Sequence, residues 1–66
     1  MIGDNIRRII NKKGYTQTQL AVMVGCTKSA ISRYINNSRT PNEKMVNKLS
    51  NALGVAKNEI VRYGRR

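Results

Sequence analysis

Residues 16–37 read TQTQLAVMVGCTKSAISRYINN, and this stretch decides the fold because it encodes two short helices with a bend between them. Thr16 and Gln19 have the spacing of a capping box, in which each side chain bonds the backbone amide of the other residue. This predicts a helix over residues 17–24. Gly25 follows at once, and the Gly-Cys-Thr connection is too short for two helices to stack antiparallel. We therefore expect a sharp bend at Gly25.

The second helix of this stretch is predicted over residues 28–36, with Thr27 as its N-cap. At about 100° per residue, its polar and apolar side chains fall on separate arcs of the helix. The polar arc holds Lys28, Ser29, Ser32, Arg33 and Asn36, and the apolar arc holds Ala30, Ile31, Tyr34 and Ile35. The bend followed by this two-faced helix predicts a helix-turn-helix corner.

The polar arc has a composition that favours contact with another molecule over simple solvation. It contains no carboxylate, although glutamate is among the best helix formers. Its serines are small enough to let the helix approach a surface closely, and its lysine and arginine reach further out. These side chains suit the base edges and phosphates of a DNA major groove. We interpret the arc as a nucleic-acid contact surface.

Regular apolar spacing outside this stretch predicts three more helices, over residues 2–13, 42–53 and 57–62. Gly14 and Gly54 stand where the first and the fourth helix should end. No segment shows the strict alternation expected of a strand. The predicted fold class is all-α: one domain over residues 1–66, built as a compact five-helix bundle of four helices and a short fifth.

The charge balance points to a polyanionic partner. Lysine and arginine number 13 against three acidic residues, which gives a net charge of +10. Such a chain repels itself and is drawn to nucleic acid or to an anionic membrane surface. A solvated surface built only for solubility would mix both signs more evenly.

Several other classes of function are not expected from the composition. The chain has one cysteine and no histidine, so no intrachain disulfide, metal site or cofactor is predicted. It offers no pair of catalytic carboxylates and no base near the thiol, so we do not expect an enzyme. It has no apolar run of membrane-spanning length and no signal peptide, so a cytoplasmic location without membrane partners is expected.

The segment TQTQLAVMVGCTKSAISRYINNSRTP, followed by LSNALGV, resembles the lambdoid-phage repressor and Cro type of helix-turn-helix domain, also called the xenobiotic-response-element type. The shared pattern comprises a glutamine after the cap of the second helix, then LA, the corner glycine, S-x-x-I-S-R and a basic turn with proline. The resemblance covers about residues 2–61. It implies a lambda-repressor-like fold and a transcriptional regulator that binds double-stranded DNA sequence-specifically, in particular a phage or mobile-element repressor.

The resemblance also implies roles for individual residues. Positions that contact bases in the family are matched by Lys28, Ser29 and Arg33, and Ser32 lies on the same arc. Positions that contact phosphates in the family are matched by Gln17, Thr27, Asn36 and Arg39. The chain departs from the family at Asn37, where glycine is usual, at Ile35, where glutamate is common, and at Val22 and Met23, which are more often polar. Asn37 is expected to adopt a left-handed backbone conformation, and Val22 is expected to be exposed.

A homodimer is expected, because one short helix offers too few base contacts for high specificity. Two copies would read half-sites about 34 Å apart on a palindromic operator. Family analogy and the apolar residues left near the C-terminus predict a dimer surface that contains Val55, Ile60, Val61 and Tyr63. The chain begins with methionine and shows no second domain, so we expect a stand-alone repressor without a small-molecule ligand.

Other interpretations remain open at this point. The alternatives are a basic RNA-binding or ribosome-associated protein, the DNA-binding antitoxin of a toxin-antitoxin pair, and a membrane-active basic peptide. Single-stranded RNA is typically bound by exposed aromatic side chains, whereas Tyr15 and Tyr34 are predicted to face inward. Cys26 is expected to be a small packing residue rather than a redox sensor.

Overall fold

The structure is a computed structural model that describes residues 2–61, and within them the chain is entirely helical. The helices are α1 (Ile2–Lys13), α2 (Gln17–Val24), α3 (Lys28–Ile35), α4 (Glu43–Leu53) and α5 (Lys57–Ile60). This confirms the predicted all-α fold class. Helix α3 ends one residue before its predicted end, because Asn36 is its C-cap. Helix α4 begins one residue after its predicted start, because Asn42 is its N-cap. None of these helices has the length and apolar content needed to cross a membrane.

Local capping explains where α2 and α3 begin. The Thr16 Oγ1 accepts a hydrogen bond from the Gln19 amide at 3.0 Å, and the Thr16 amide donates to Gln19 Oε1 at 2.8 Å, which confirms the capping box. Gly25 caps the end of α2, and its φ of 75° lies in the left-handed region that glycine adopts without strain. The Thr27 Oγ1 then accepts from the Ala30 amide at 3.1 Å and starts α3.

The core draws on all five helices. Its fully buried side chains are Ile6, Leu20, Ile31, Ile35, Leu49 and Ile60. Tyr34 is also buried, at 6% exposure, and Ala30 packs partly against the core. The predicted apolar arc of α3 therefore faces inward, and this orientation turns the polar arc of the same helix outward.

The start of α1 packs closely on the end of α3 through Gly3. A β-carbon at this position would collide with the backbone carbonyl oxygens of Tyr34 and Ile35 and with the side chain of Asn37. Asn37 has a φ of 62°, which confirms its predicted left-handed conformation. Its Oδ1 accepts a hydrogen bond from the Gly3 amide at 2.9 Å. Asparagine at the usual glycine position therefore joins α3 to α1, a contact that the sequence did not predict.

A second buried contact fastens α5 to α1. The Asn5 side chain is 7% exposed, and its Nδ2 donates to the Ile60 carbonyl oxygen at 2.9 Å. The Ile60 side chain is fully buried in the chain's own core. The prediction that Ile60 belongs to a dimer surface is therefore wrong, since this side chain is not accessible to a second copy.

Candidate nucleic-acid interface

The four side chains predicted to contact bases lie together on the outer surface of α3. Lys28, Ser29, Ser32 and Arg33 line one shallow open depression. Lys28, Ser29 and Arg33 are exposed, and Ser32 is half-buried. The structure thus places these four residues on one surface, with two hydroxyl groups set between two long cationic side chains.

The position of α3 in the fold explains why this surface is presented. The inner side of α3 packs into the core through the buried side chains of Ile31, Tyr34 and Ile35. This packing fixes the orientation of the helix. At the far end of the surface, the Asn36 Nδ2 donates to Ser32 Oγ at 3.5 Å. Because a serine hydroxyl can accept and donate at once, Ser32 keeps a donor for an outside partner.

The four predicted phosphate-contacting residues flank this surface at helix ends. Gln17 is the first residue of α2 and is half-buried, and Thr27 is the exposed N-cap of α3. Asn36 and Arg39 are exposed and follow the last turn of α3. Amides and the helix dipole favour an anion at the N-termini of α2 and α3.

A tight turn holds Arg39 next to the end of α3. The amides of Ser38 and Arg39 both donate to the Arg33 carbonyl oxygen, at 2.9 and 3.3 Å. The Asn37 amide donates to the Tyr34 carbonyl oxygen at 3.1 Å. These bonds satisfy carbonyl groups in the last turn of α3. They also place Arg39 at the same end of α3 as Asn36.

The two helices of the corner carry no acidic residue. The three carboxylates of the sequence are Asp4 on α1, Glu43 on α4 and Glu59 on α5, whereas α2 and α3 contain none. A polyanion that approaches α3 therefore meets the lysine, arginine and hydroxyl groups of that helix. The outer surface of α3 has the charge and the donors that a phosphate backbone and base edges require.

Three further residues that the sequence analysis singled out lie elsewhere: Cys26 packs against the core, and Val22 and Met23 are exposed. Cys26 is half-buried against the core; burial raises the pKa of its thiol, and the nearby Lys48 charge opposes this shift. A raised pKa makes the thiol less reactive near neutral pH, which fits the predicted packing role. Val22 is 77% exposed, as predicted, and Met23 is 39% exposed.

The remaining residues of the predicted dimer surface are Val55, Val61 and Tyr63, and the structure describes the first two. Val55 and Val61 are half-buried and pack against the edge of the core. Tyr63 lies outside the described residues. Val61 also lines a groove between the start of α1, the start of α4 and α5, which the sequence did not reveal. The groove is lined by Ile2, Thr40, Pro41, Glu43, Val46, Lys57 and Val61.

Comparison with known proteins agrees with this geometry. The Helix-turn-helix family model matches residues 6–60, which include the bend at Gly25 and all of α3. A relative from Bacillus subtilis (strain 168), the SPbeta prophage-derived uncharacterized HTH-type transcriptional regulator YonR, is 34% identical over 56 residues. The match covers 85% of this chain but 52% of the relative, so the chain spans about half the length of that protein. With the predicted corner observed and most of the chain matched, the protein belongs to the helix-turn-helix family.

Proposed function

We propose that this protein is a transcriptional regulator that binds double-stranded DNA sequence-specifically through α3. The observation that carries the proposal is the outer surface of α3, on which Lys28, Ser29, Ser32 and Arg33 line one depression on a helix that contains no carboxylate. Family membership supports it, and so does the relative, whose name describes a transcriptional regulator.

In the proposed complex, α3 enters the major groove with its buried arc turned away from the DNA. Lys28, Ser29, Ser32 and Arg33 contact base edges there. Gln17, Thr27, Asn36 and Arg39 bind the flanking phosphates and so fix the register of α3 on the duplex. Thr27 can do so while capping α3, because its Oγ1 accepts from the Ala30 amide and its hydroxyl proton stays available.

The proposal includes a homodimer on a palindromic operator. Two copies with a net charge of +10 each repel one another, so a contact surface with little net positive charge favours dimerisation. The groove beside Val61 is such a surface, since it combines an apolar lining with Glu43 from α4 and Lys57 from α5. Around a two-fold axis the same patch meets itself, so Glu43 of one copy can face Lys57 of the other.

The prophage origin of the relative supports a role as a phage or mobile-element repressor. Such a repressor would bind its operator DNA in the cytoplasm. An RNA-binding role has less support, because Tyr15 is half-buried and Tyr34 is buried. Neither ring is free to stack on unpaired bases.

Selection of bound duplexes from a random pool tests this proposal. A palindromic consensus that binds far more tightly than scrambled duplex or single-stranded RNA of equal length at physiological salt is expected. Equal binding to all three would contradict sequence-specific DNA recognition. Sedimentation of the protein with the selected duplex then measures stoichiometry, and one protein per palindrome would contradict the homodimer.

A further inference from the structure

We infer that each operator half-site presents two guanines to α3, one to Lys28 and one to Arg33. This inference rests on the proposed function, and it identifies the bases that the same surface selects. It follows from the placement of two long cationic donor side chains at the two ends of a surface that contains no carboxylate.

The donor chemistry of the two side chains selects guanine. Lysine and arginine only donate hydrogen bonds, and guanine alone presents two acceptors, N7 and O6, and no donor on its major-groove edge. Adenine and cytosine each place an amino group in that groove, and a carboxylate could accept a hydrogen bond from it. Since α3 contains no carboxylate, it has no charged acceptor for either amino group.

Both cationic side chains are available, and the backbone beneath Arg33 is fixed. Lys28 and Arg33 are both exposed, and α3 itself contains no carboxylate that could pair with either side chain. The Arg33 carbonyl oxygen accepts two turn amides, and the next two residues, Tyr34 and Ile35, are buried. Arg33 therefore extends from a rigid base, which lowers the entropic cost of a bidentate contact.

Helix geometry separates the two side chains both along and around α3. Lys28 and Arg33 are five residues apart, which corresponds to about 7.5 Å along the helix axis and about 140° around it. The two side chains should therefore contact different base pairs of the half-site. Ser29 and Ser32 lie between them, and their hydroxyls can donate or accept, so the intervening positions should be less selective. The expected half-site has two strongly preferred G·C pairs that flank weaker positions.

Base analogues in the selected operator test the inference directly. Replacing a guanine by 7-deazaguanine removes N7 from the major groove, and replacing it by inosine removes only the amino group in the minor groove. At two guanines per half-site, 7-deazaguanine should weaken binding roughly 5- to 150-fold, and inosine should change it little. A consensus without such guanines would overturn the inference and leave the proposed function intact.

Substitution of each side chain assigns the guanines. In the Arg33→Ala protein, 7-deazaguanine at one of the two positions should cause no further loss, while the other position keeps its full effect. Lys28→Ala should show the reverse pattern. Lys12→Ala, which removes an exposed cation on α1, should leave both analogue effects unchanged.

All three substitutions are at exposed positions, so circular dichroism should show unchanged helicity. Full analogue effects at both guanines in both α3 variants would overturn the assignment. The absence of any consensus from the selection would overturn the inference together with the proposed function.

Discussion

Replacing Gly3 by alanine tests the contact between α1 and α3, because two physical effects predict opposite results. Helix propensity alone favours alanine over glycine in a helix by up to about 1 kcal/mol. The structure predicts the reverse, since the added methyl group meets the carbonyl oxygens of Tyr34 and Ile35. Backbone atoms in a packed helix cannot move aside as a flexible side chain can.

The expected cost has two parts. Overpacking at a rigid site costs about 1–3 kcal/mol, and displacement of α1 also weakens the Gly3–Asn37 hydrogen bond, which contributes about 1 kcal/mol. After the gain in propensity, Gly3→Ala should destabilise the fold by about 2 kcal/mol. For a domain of this size the melting temperature should then fall by about 8–16 °C.

Thermal and urea unfolding followed by circular dichroism would measure this loss. Asn11→Ala is the matched control, because Asn11 is exposed on the same helix and alanine there should leave stability equal or slightly higher. A Gly3→Ala protein that melts at or above the parent temperature would refute the reasoning, since propensity would then outweigh the close approach.

Asn5→Ala should destabilise the fold by about 1–3 kcal/mol, measured by urea unfolding, because the buried Ile60 carbonyl oxygen loses its side-chain donor; a change under 0.5 kcal/mol, typical of surface substitutions, would show that this bond is dispensable. Gln17→Ala should weaken binding to every DNA sequence alike without changing the slope of affinity against salt, whereas Arg39→Ala should reduce that slope by about one, because only a cation releases a counterion. A change in base preference for Gln17→Ala would contradict the phosphate assignment. Cys26 should be alkylated more slowly in the folded protein than in denaturant near neutral pH, because burial raises its thiol pKa and reduces the thiolate fraction; equal rates would contradict this.

Features set by neighbouring residues were predictable from the sequence. The caps at Thr16 and Thr27, the bend at Gly25 and the two arcs of α3 depend on residues within one or two turns of each other, so their spacing is visible in the chain. The placement of Lys28, Ser29, Ser32 and Arg33 on one surface follows directly from that periodicity.

Features that join distant parts of the chain were not predictable in this way. No local pattern indicates that Gly3 fits against the end of α3, or that Asn5 bonds a carbonyl group 55 positions away. Ile60 was assigned to a dimer surface from family analogy and from the apolar residues near the C-terminus. The observed α5 has four residues, too few for periodicity to separate a core position from an exposed one.

The bond between Asn5 and the Ile60 carbonyl oxygen has a consequence for how the protein is made. A growing chain that has not yet reached Ile60 lacks both the fully buried Ile60 side chain and the carbonyl oxygen that Asn5 bonds. Isolated helices this short are not stable in water, so the first four helices should not persist as folded helices before α5 is made. Synthesis should therefore yield a cooperative fold only once α5 has left the ribosome. A protease that trims into α5 should unfold the whole domain rather than fray its end.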